Sequence, residues 1–420
     1  MKRQRNFFFV IAYLALAISM FYFNIQDVTV GSFGFQYKYL FGIGIILLSM
    51  LHFLISADLR AAIRCLKDSA ALMYPYLFTL AYSLVLWLCT MAGFRTITRG
   101  TFYIVYQMIA ILAAAGALYM FGKKGIYLQF AALVCALLLV AAEQIRLVGL
   151  GEFVRQYVVN ITSFTRNSGT TMRTFEKGEY CYAVGFYLAY FVLTMKEKRS
   201  HILLAAVSFL LFFLGLKRSV LLGVCSAILF GLLIGRARNP KKLIVPLFTV
   251  GACLAICYIV WIYTGLFDWL ESIGVSTSGR NWIYSQIRDY YQMSPLYMGK
   301  GAGFVARAFS DGVIDLTARG YTVGDIHNDY LRQYIEFGFL GCLVWFWLYT
   351  TCKVKHFFHG SADEKDNRRG VLALAMTVVA CATCLTENAI YCYYLTVCMA
   401  VTIMGYDFET FVERTKLPGE

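Results

Sequence analysis

Polar residues in this apolar chain gather in one stretch, 277–341. It opens with Thr277-Ser278-Gly279-Arg280-Asn281-Trp282, passes Arg288, and closes on Asp325-Ile326-His327-Asn328-Asp329-Tyr330-Leu331-Arg332, followed by Glu336, Gly338 and Gly341. A histidine near arginines suits a base beside an anion site, because imidazole titrates near neutral pH and guanidinium binds phosphate or carboxylate through a planar fork. The other four histidines, His52, His201, His356 and His359, lie near segments assigned below to the cytoplasmic side, which leaves His327 as the outer imidazole. Against this stands the plainer reading of a solvated loop histidine. A helix beginning near His327, capped by Asp325 or Thr322, would place His327 and Asn328 in its first turn. It would also set Tyr330, Leu331 and Tyr334 on one side and pair Arg332 with Glu336 at i,i+4. The free N–H groups of such a turn receive phosphate oxygens.

Arg280 and Arg288 could form the cationic side of the same site; the plainer reading of either is a surface arginine, and for Arg288 the two readings weigh about evenly. Lys217-Arg218-Ser219 interrupts two apolar segments at a very short outer turn, where cations are disfavoured. An arginine at membrane depth usually faces a cavity or a partner; the competing reading is snorkelling to lipid headgroups. Glu387-Asn388 and Glu143 with Arg146 are polar residues at the same level, with supporting roles. Trp282, Tyr290, Tyr291, Tyr321 and Tyr330 could stack on sugar rings, but singly each reads first as interfacial belt or loop core. Arg166, Arg173 and Lys177 fit substrate contact or attraction to the membrane surface. The outer acids are scattered, without a carboxylate cluster that a divalent ion would want, and no serine-nucleophile elbow is present. The expected chemistry therefore uses positioned cations and a base, with no metal or cofactor. Gly299-Lys300-Gly301-Ala302-Gly303 lacks the Gly-Lys-Ser/Thr ending of a P-loop and reads as a close-approach backbone segment.

The elements that must hold these residues are membrane helices. Of 420 residues, 60% are hydrophobic and 15% charged, against about 25% charged in a soluble domain. Lys2-Arg3-Gln4-Arg5 and the apolar run after it resemble a signal peptide, but no small-residue cleavage site follows, so a retained first helix is expected. Twelve apolar segments are long enough to be candidate spans: 7–23, 39–55, 70–93, 101–121, 126–142, 180–195, 202–216, 219–235, 243–263, 334–352, 371–386 and 389–405. The basic connections, Arg60/Arg64/Lys67, Lys123/Lys124, Lys196/Lys198/Arg199, Arg236/Arg238/Lys241/Lys242 and Lys353 to Arg369, assign those loops and both termini to the cytoplasm. The net charge of +14 is thus an orientation signal rather than a nucleic-acid footprint. The 13 cysteines lie almost wholly in apolar segments, as small hydrophobes. One all-α membrane domain, 1–420, is expected, with a first long outer loop at 143–179 and a large, folded outer loop at 265–333 between the ninth and tenth helices.

These residues resemble the O-antigen ligase and Wzy polymerase family of bacterial surface-polysaccharide synthesis. The likeness lies in Lys217-Arg218-Ser219 before a helix, Gly279-Arg280 opening the large loop, and His327-Asn328 with Glu336-Phe337-Gly338-Phe339-Leu340-Gly341 closing it. Lys-Arg-Ser departs from the commoner Ser-Arg order. The resemblance spans mainly 216–341 and the twelve-helix plan, and implies a GT-C type glycosyltransferase that takes glycan from undecaprenyl pyrophosphate on the outer side of the cell membrane. It implies metal-independent, inverting transfer, with His327 as base and Arg280 and Arg218 neutralising the pyrophosphate. Lys217, Arg288, Asn328, Tyr330, Trp282 and Glu387 would line the substrate. The expected partners are the lipid-linked donor, a glycan acceptor and the bilayer, with a chain-length regulator protein as a further partner of a polymerase and no nucleic acid. Polymerisation of lipid-linked repeats into capsule, exopolysaccharide or O antigen is the leading reading, and ligation to lipid A core shares every residue named. A transporter or flippase would instead call for mid-membrane charges and paired broken helices in two halves, and a structural or sensor protein is a weaker third.

Overall fold

A computed structural model describes residues 2–26, 29–30, 35–163, 180–215, 218–275, 277, 279–311, 326–358, 364–406 and 408. Lys217, Thr322, Asp325, Tyr321, Arg166, Arg173, Lys177 and His359 lie outside the described residues, as does the side chain of Arg218. The long apolar helices are α1 (Lys2–Gln26), α2 (Tyr37–Ser56), α3 (Leu59–Cys89), α4 (Phe94–Phe121) and α5 (Lys124–Val148). After α6 (Leu150–Ser163) come α7 (Tyr180–Thr194), α8 (Ser200–Leu214), α9 (Arg218–Gly235) and α10 (Pro240–Tyr263). Three short helices follow: α11 (Leu266–Ser272), α12 (Arg280–Ile287) and α13 (Phe304–Ser310). Then α14 (Asp329–Trp347) runs through a π turn into α15 (Lys353–Phe357), and α16 (Glu364–Cys384) and α17 (Tyr393–Met404) end the bundle. Two-residue strands Thr29–Val30 and Phe35–Gln36 pair antiparallel before α2.

Each predicted apolar segment overlaps one of these helices, although 371–386 and 389–405 run past the ends of α16 and α17 into the non-helical residues between them. Among the described residues seven helices are long and apolar enough to cross a membrane by length and composition, namely Phe7–Ile25, Tyr37–Ser56, Leu59–Cys89, Phe94–Phe121, Lys124–Val148, Pro240–Tyr263 and Asp329–Phe357. Four more, Tyr180–Thr194, Ser200–Phe213, Val220–Gly235 and Tyr393–Met404, are apolar but shorter. The chain is a multi-pass membrane protein. The helix α4 forms its centre because small residues let its neighbours close in: Ala113, Ala114, Ala115 and Ala117 are buried, and a side chain at Gly116 would collide with Ser49. Close backbone approach of this kind replaces the missing hydrophobic drive between helices in lipid. Asp58 caps α3 by accepting the Ala61 N–H at 3.0 Å, so the basic connection containing Arg60, Arg64 and Lys67 is helical rather than a loop.

Among its described residues the segment 265–333 forms three short helices, α11, α12 and α13, and the helix that closes it differs from expectation. It starts at Asp329, not near His327, because Asn328 wins the capping position: its side-chain oxygen accepts the Leu331 N–H at 3.1 Å. His327 and Asn328 therefore precede the helix instead of occupying its first turn. Nor is α14 one straight rod, since Gly338 sits at φ 68°, ψ −171° inside it, a backbone region that essentially only glycine adopts. A Cβ there would meet the Tyr297 carbonyl oxygen at 2.0 Å. The Tyr330 and Phe346 ring centres lie 6.2 Å apart, whereas a straight helix would separate them by about 24 Å. The half-helix 329–337 thus folds back beside the part of α14 that follows Gly338.

Contacts along α3 give its depth. Near the basic end His356 Nε2 lies 3.1 Å from Asp68; further along, the Tyr76 hydroxyl donates to Ile390 O at 3.2 Å. Beyond that the glycine-rich run crosses, with Ala302 N–H donating to Ser83 Oγ at 3.1 Å and Trp87 Nε1–H to Ala302 O at 3.2 Å. Asp329 binds Ile390 N–H at 2.7 Å, so the start of the half-helix sits level with Tyr76, about 10 Å below the crossing at about 1.5 Å per residue. The close approach read from Gly299–Gly303 is real: Gly301 N–H donates to Glu336 O at 2.7 Å and Lys300 N–H to Ile335 O at 3.2 Å.

Candidate functional site

The segment 385–392 joins α16 to α17, and side chains from four other elements hold its backbone. Tyr258 of α10 donates to Leu385 O at 3.2 Å, Arg280 Nη2 of α12 donates to Thr386 O at 2.9 Å, and Tyr76 of α3 donates to Ile390 O. Asp329 of the half-helix accepts the Ile390 N–H. Backbone can leave helical form at membrane depth only if protein groups satisfy it, and these four do so. Next to the Arg280 anchor, the side chain of Glu387 reaches His327, with Nδ1 3.2 Å from Oε2. Glu387 is nearly buried and His327 about one-third exposed, at 9% and 36%. His327 holds φ 51°, uncommon for a residue with a Cβ, so its ring direction is fixed by the backbone as well as by Glu387.

Arg280 is the first residue of α12, behind Gly279 at φ 81°. Its Nη2 is committed to Thr386, while its buried Nε has no hydrogen-bond partner among the described residues. The planar fork of a guanidinium matches phosphate and carboxylate geometry. The turn before it is tied down by Glu271, which bonds both Thr277 and Asn281. Asn328 Nδ2 donates to the Tyr284 hydroxyl at 3.4 Å, joining the cap of the half-helix to α12. Burial pushes the Tyr284 phenol well above its ordinary range, so it remains a neutral hydroxyl. Tyr284 and Asp329 carried no role in the sequence reading, and of the 385–392 segment only Glu387 and Asn388 did, as supporting residues. The signal for the segment as a whole is Thr386-Glu387-Asn388, a polar triplet inside the apolar 371–405.

The remaining described candidates make other contacts. Arg288 is exposed, with its guanidinium 4.7 Å from the Tyr263 ring. Trp282 is half-buried and its backbone N–H binds Asn281 Oδ1 at 2.6 Å. Tyr330 is buried, and its hydroxyl donates to Cys381 O at 2.9 Å. Glu143 accepts from the Tyr22 hydroxyl of α1, a bond between helices. Arg218 opens α9, and Lys217 before it is outside the described residues.

The predicted Arg332–Glu336 pair is present, with Nε to Oε1 at 3.8 Å and both side chains at most 1% exposed. The Glu336 carboxylate also accepts the Val305 N–H at 3.1 Å, and a Cβ at Gly341 would meet Tyr82 at 2.7 Å. Glu336, Gly338 and Gly341 thus fix the fold-back. No curated protein matches the chain. Residues 184–346 match the family model described as O-Antigen ligase; the matched stretch holds Arg280, His327 and the Glu336–Gly341 turn, in agreement with the likeness of its motifs to O-antigen ligases and Wzy-type proteins.

Proposed function

We propose that the chain is a membrane glycosyltransferase that joins undecaprenyl-pyrophosphate-linked oligosaccharide units into a surface polysaccharide. One observation carries the reading: consecutive residues of one segment, Thr386 and Glu387, hold Arg280 and His327, so an anion receiver and an imidazole converge from elements far apart in sequence. In the reaction His327 is neutral, its Nδ1–H donates to Glu387, and Nε2 takes the proton of an acceptor sugar hydroxyl. That oxygen bonds the anomeric carbon from one face as the bond to pyrophosphate breaks on the other, which inverts the configuration. The leaving group gains charge as the bond breaks, and the free donors of Arg280 stabilise it. Arg218, at the start of α9, is assigned to the same pyrophosphate on the strength of its motif. Positioned cations take the part a metal ion would otherwise play. The family description favours a second reading, ligation of the glycan to lipid A core, with the same chemistry and a different acceptor.

The test is transfer by purified, membrane-inserted protein from a lipid-linked donor to each acceptor. Arg280→Ala and His327→Ala are expected to abolish product on the preferred acceptor, and general-base loss alone lowers turnover about 10²–10⁴-fold. Activity is expected to persist in chelator. Undiminished turnover in both variants would overturn the assignment.

A further inference from the structure

The half-helix carries a buried cation that this mechanism does not use. Arg332 is 1% exposed, and its guanidinium carbon lies 5.0 Å from the Tyr391 ring centre and 5.5 Å from that of Tyr103. Those two rings stack on each other at 5.4 Å and 22°, so one planar cation and two rings form a closed triangle. Gln333 adds a weak bond from Nε2 to the Tyr391 hydroxyl at 3.5 Å. Burying a guanidinium costs several kcal/mol unless it is well paired, and its ion pair with Glu336 is loose at 3.8 Å. Desolvated cation–π contact with the two rings is a further attraction.

Placement gives this triangle its significance. Tyr391 belongs to the segment that carries Glu387, Arg332 belongs to the half-helix that begins just after His327, and Tyr103 belongs to α4 at the bundle's centre. Asp329 already ties the half-helix to Ile390 at 2.7 Å. We propose that Arg332 is a positioning residue: with Tyr391 and Tyr103 it clamps the 385–392 segment to the half-helix and so sets the distance between Glu387 and His327. The functional part of this inference rests on His327 and Glu387 being the reacting pair, while the clamp itself does not. Lysine cannot substitute, because its ammonium is a point charge without a flat face to lay against two rings.

The decisive readout is backbone hydrogen exchange across 385–392 in the full chain in detergent, since it is independent of any reaction. Arg332→Lys keeps the charge and is expected to speed exchange there at least tenfold. It should also lower turnover at least tenfold with the donor KM unchanged, and displace the acid limb of the pH profile. Tyr391→Ala should reproduce this, whereas Tyr391→Phe, which keeps the ring, should restore protection and turnover. Should Arg332→Lys fail to insert, Tyr103→Leu removes one ring without touching the buried charge, and a severalfold rise in exchange is expected. Unchanged exchange in both Arg332→Lys and Tyr103→Leu, or Tyr391→Phe as damaging as Tyr391→Ala, would overturn the clamp. Accelerated exchange in a protein whose His327→Ala variant stays active would keep the clamp and discard the catalytic reading.

Discussion

The charged side chains at the two ends of this bundle are finished to different degrees. At the basic end Asp68 of α3 is 3% exposed and is surrounded: Arg369 of α16 binds one oxygen, His356 of α15 the other at 3.1 Å, and Arg64 stands 4.0 Å away. Arg369 also lies 4.8 Å from the Phe357 ring. At the far end Arg280 spends one nitrogen on a backbone carbonyl and leaves a buried Nε over, and His327 keeps about a third of its side chain open. Closed charge groups hold helices together, and removing one partner leaves the others buried and uncompensated. The group around His327 is left open, as the proposed function requires.

That contrast predicts crossed outcomes for two variants. His327→Ala should lower turnover about 10²–10⁴-fold with the thermal midpoint in detergent little changed, because the ring is partly solvated. Asp68→Asn should do the reverse, costing about 3–5 kcal/mol of stability while turnover per folded molecule stays at the wild-type level. Thermal unfolding and single-turnover assays on both proteins decide this. If His327→Ala unfolded the bundle and Asp68→Asn stopped transfer, the roles of the two ends would be exchanged.

Hydropathy made the helices legible, since each apolar segment overlaps one. It could not show where a helix breaks inside the bundle. The apolar pattern runs straight through Gly338 and nearly bridges 385–392, and a glycine in a membrane helix can as easily mark close packing as a kink. His327 and Arg280 stood out by type and isolation. Their meeting point did not, because Arg280 reaches Thr386 across 106 positions, and no local pattern encodes a contact with a backbone carbonyl. Asn328, Asp325 and Thr322 are all capping types. The bond from Asn328 to Tyr284, which no spacing in the sequence announces, helps to fix Asn328 in the capping place.

Glu387→Gln sharpens the comparison at the receptive end. The carboxylate beside His327 Nδ1 steadies the ring and favours its protonated form as the proton arrives. A hydrogen bond to a charged group is worth about 1.5–3 kcal/mol, so turnover should fall roughly ten- to hundredfold. Turnover of Glu387→Gln at the wild-type level would show that Glu387 does not act on His327.

The smallest expected effect is at Asn328, which belongs to both worlds: it caps the half-helix through Leu331 N–H and braces α12 through Tyr284. Loss of a capping side chain typically costs about 1 kcal/mol, so Asn328→Ala should lower the thermal midpoint by far less than Asp68→Asn. Asn328→Asp keeps the capping oxygen and discards the donor to Tyr284, leaving two acceptors to face each other unless the phenol turns to donate. If the brace matters for catalysis, Asn328→Asp should retain stability and lose turnover, whereas Asn328→Ala loses some of both. Equal, purely thermal losses in the two variants would make Asn328 a helix cap and nothing more, and would shrink the receptive site to Arg280, His327 and the Glu387 segment.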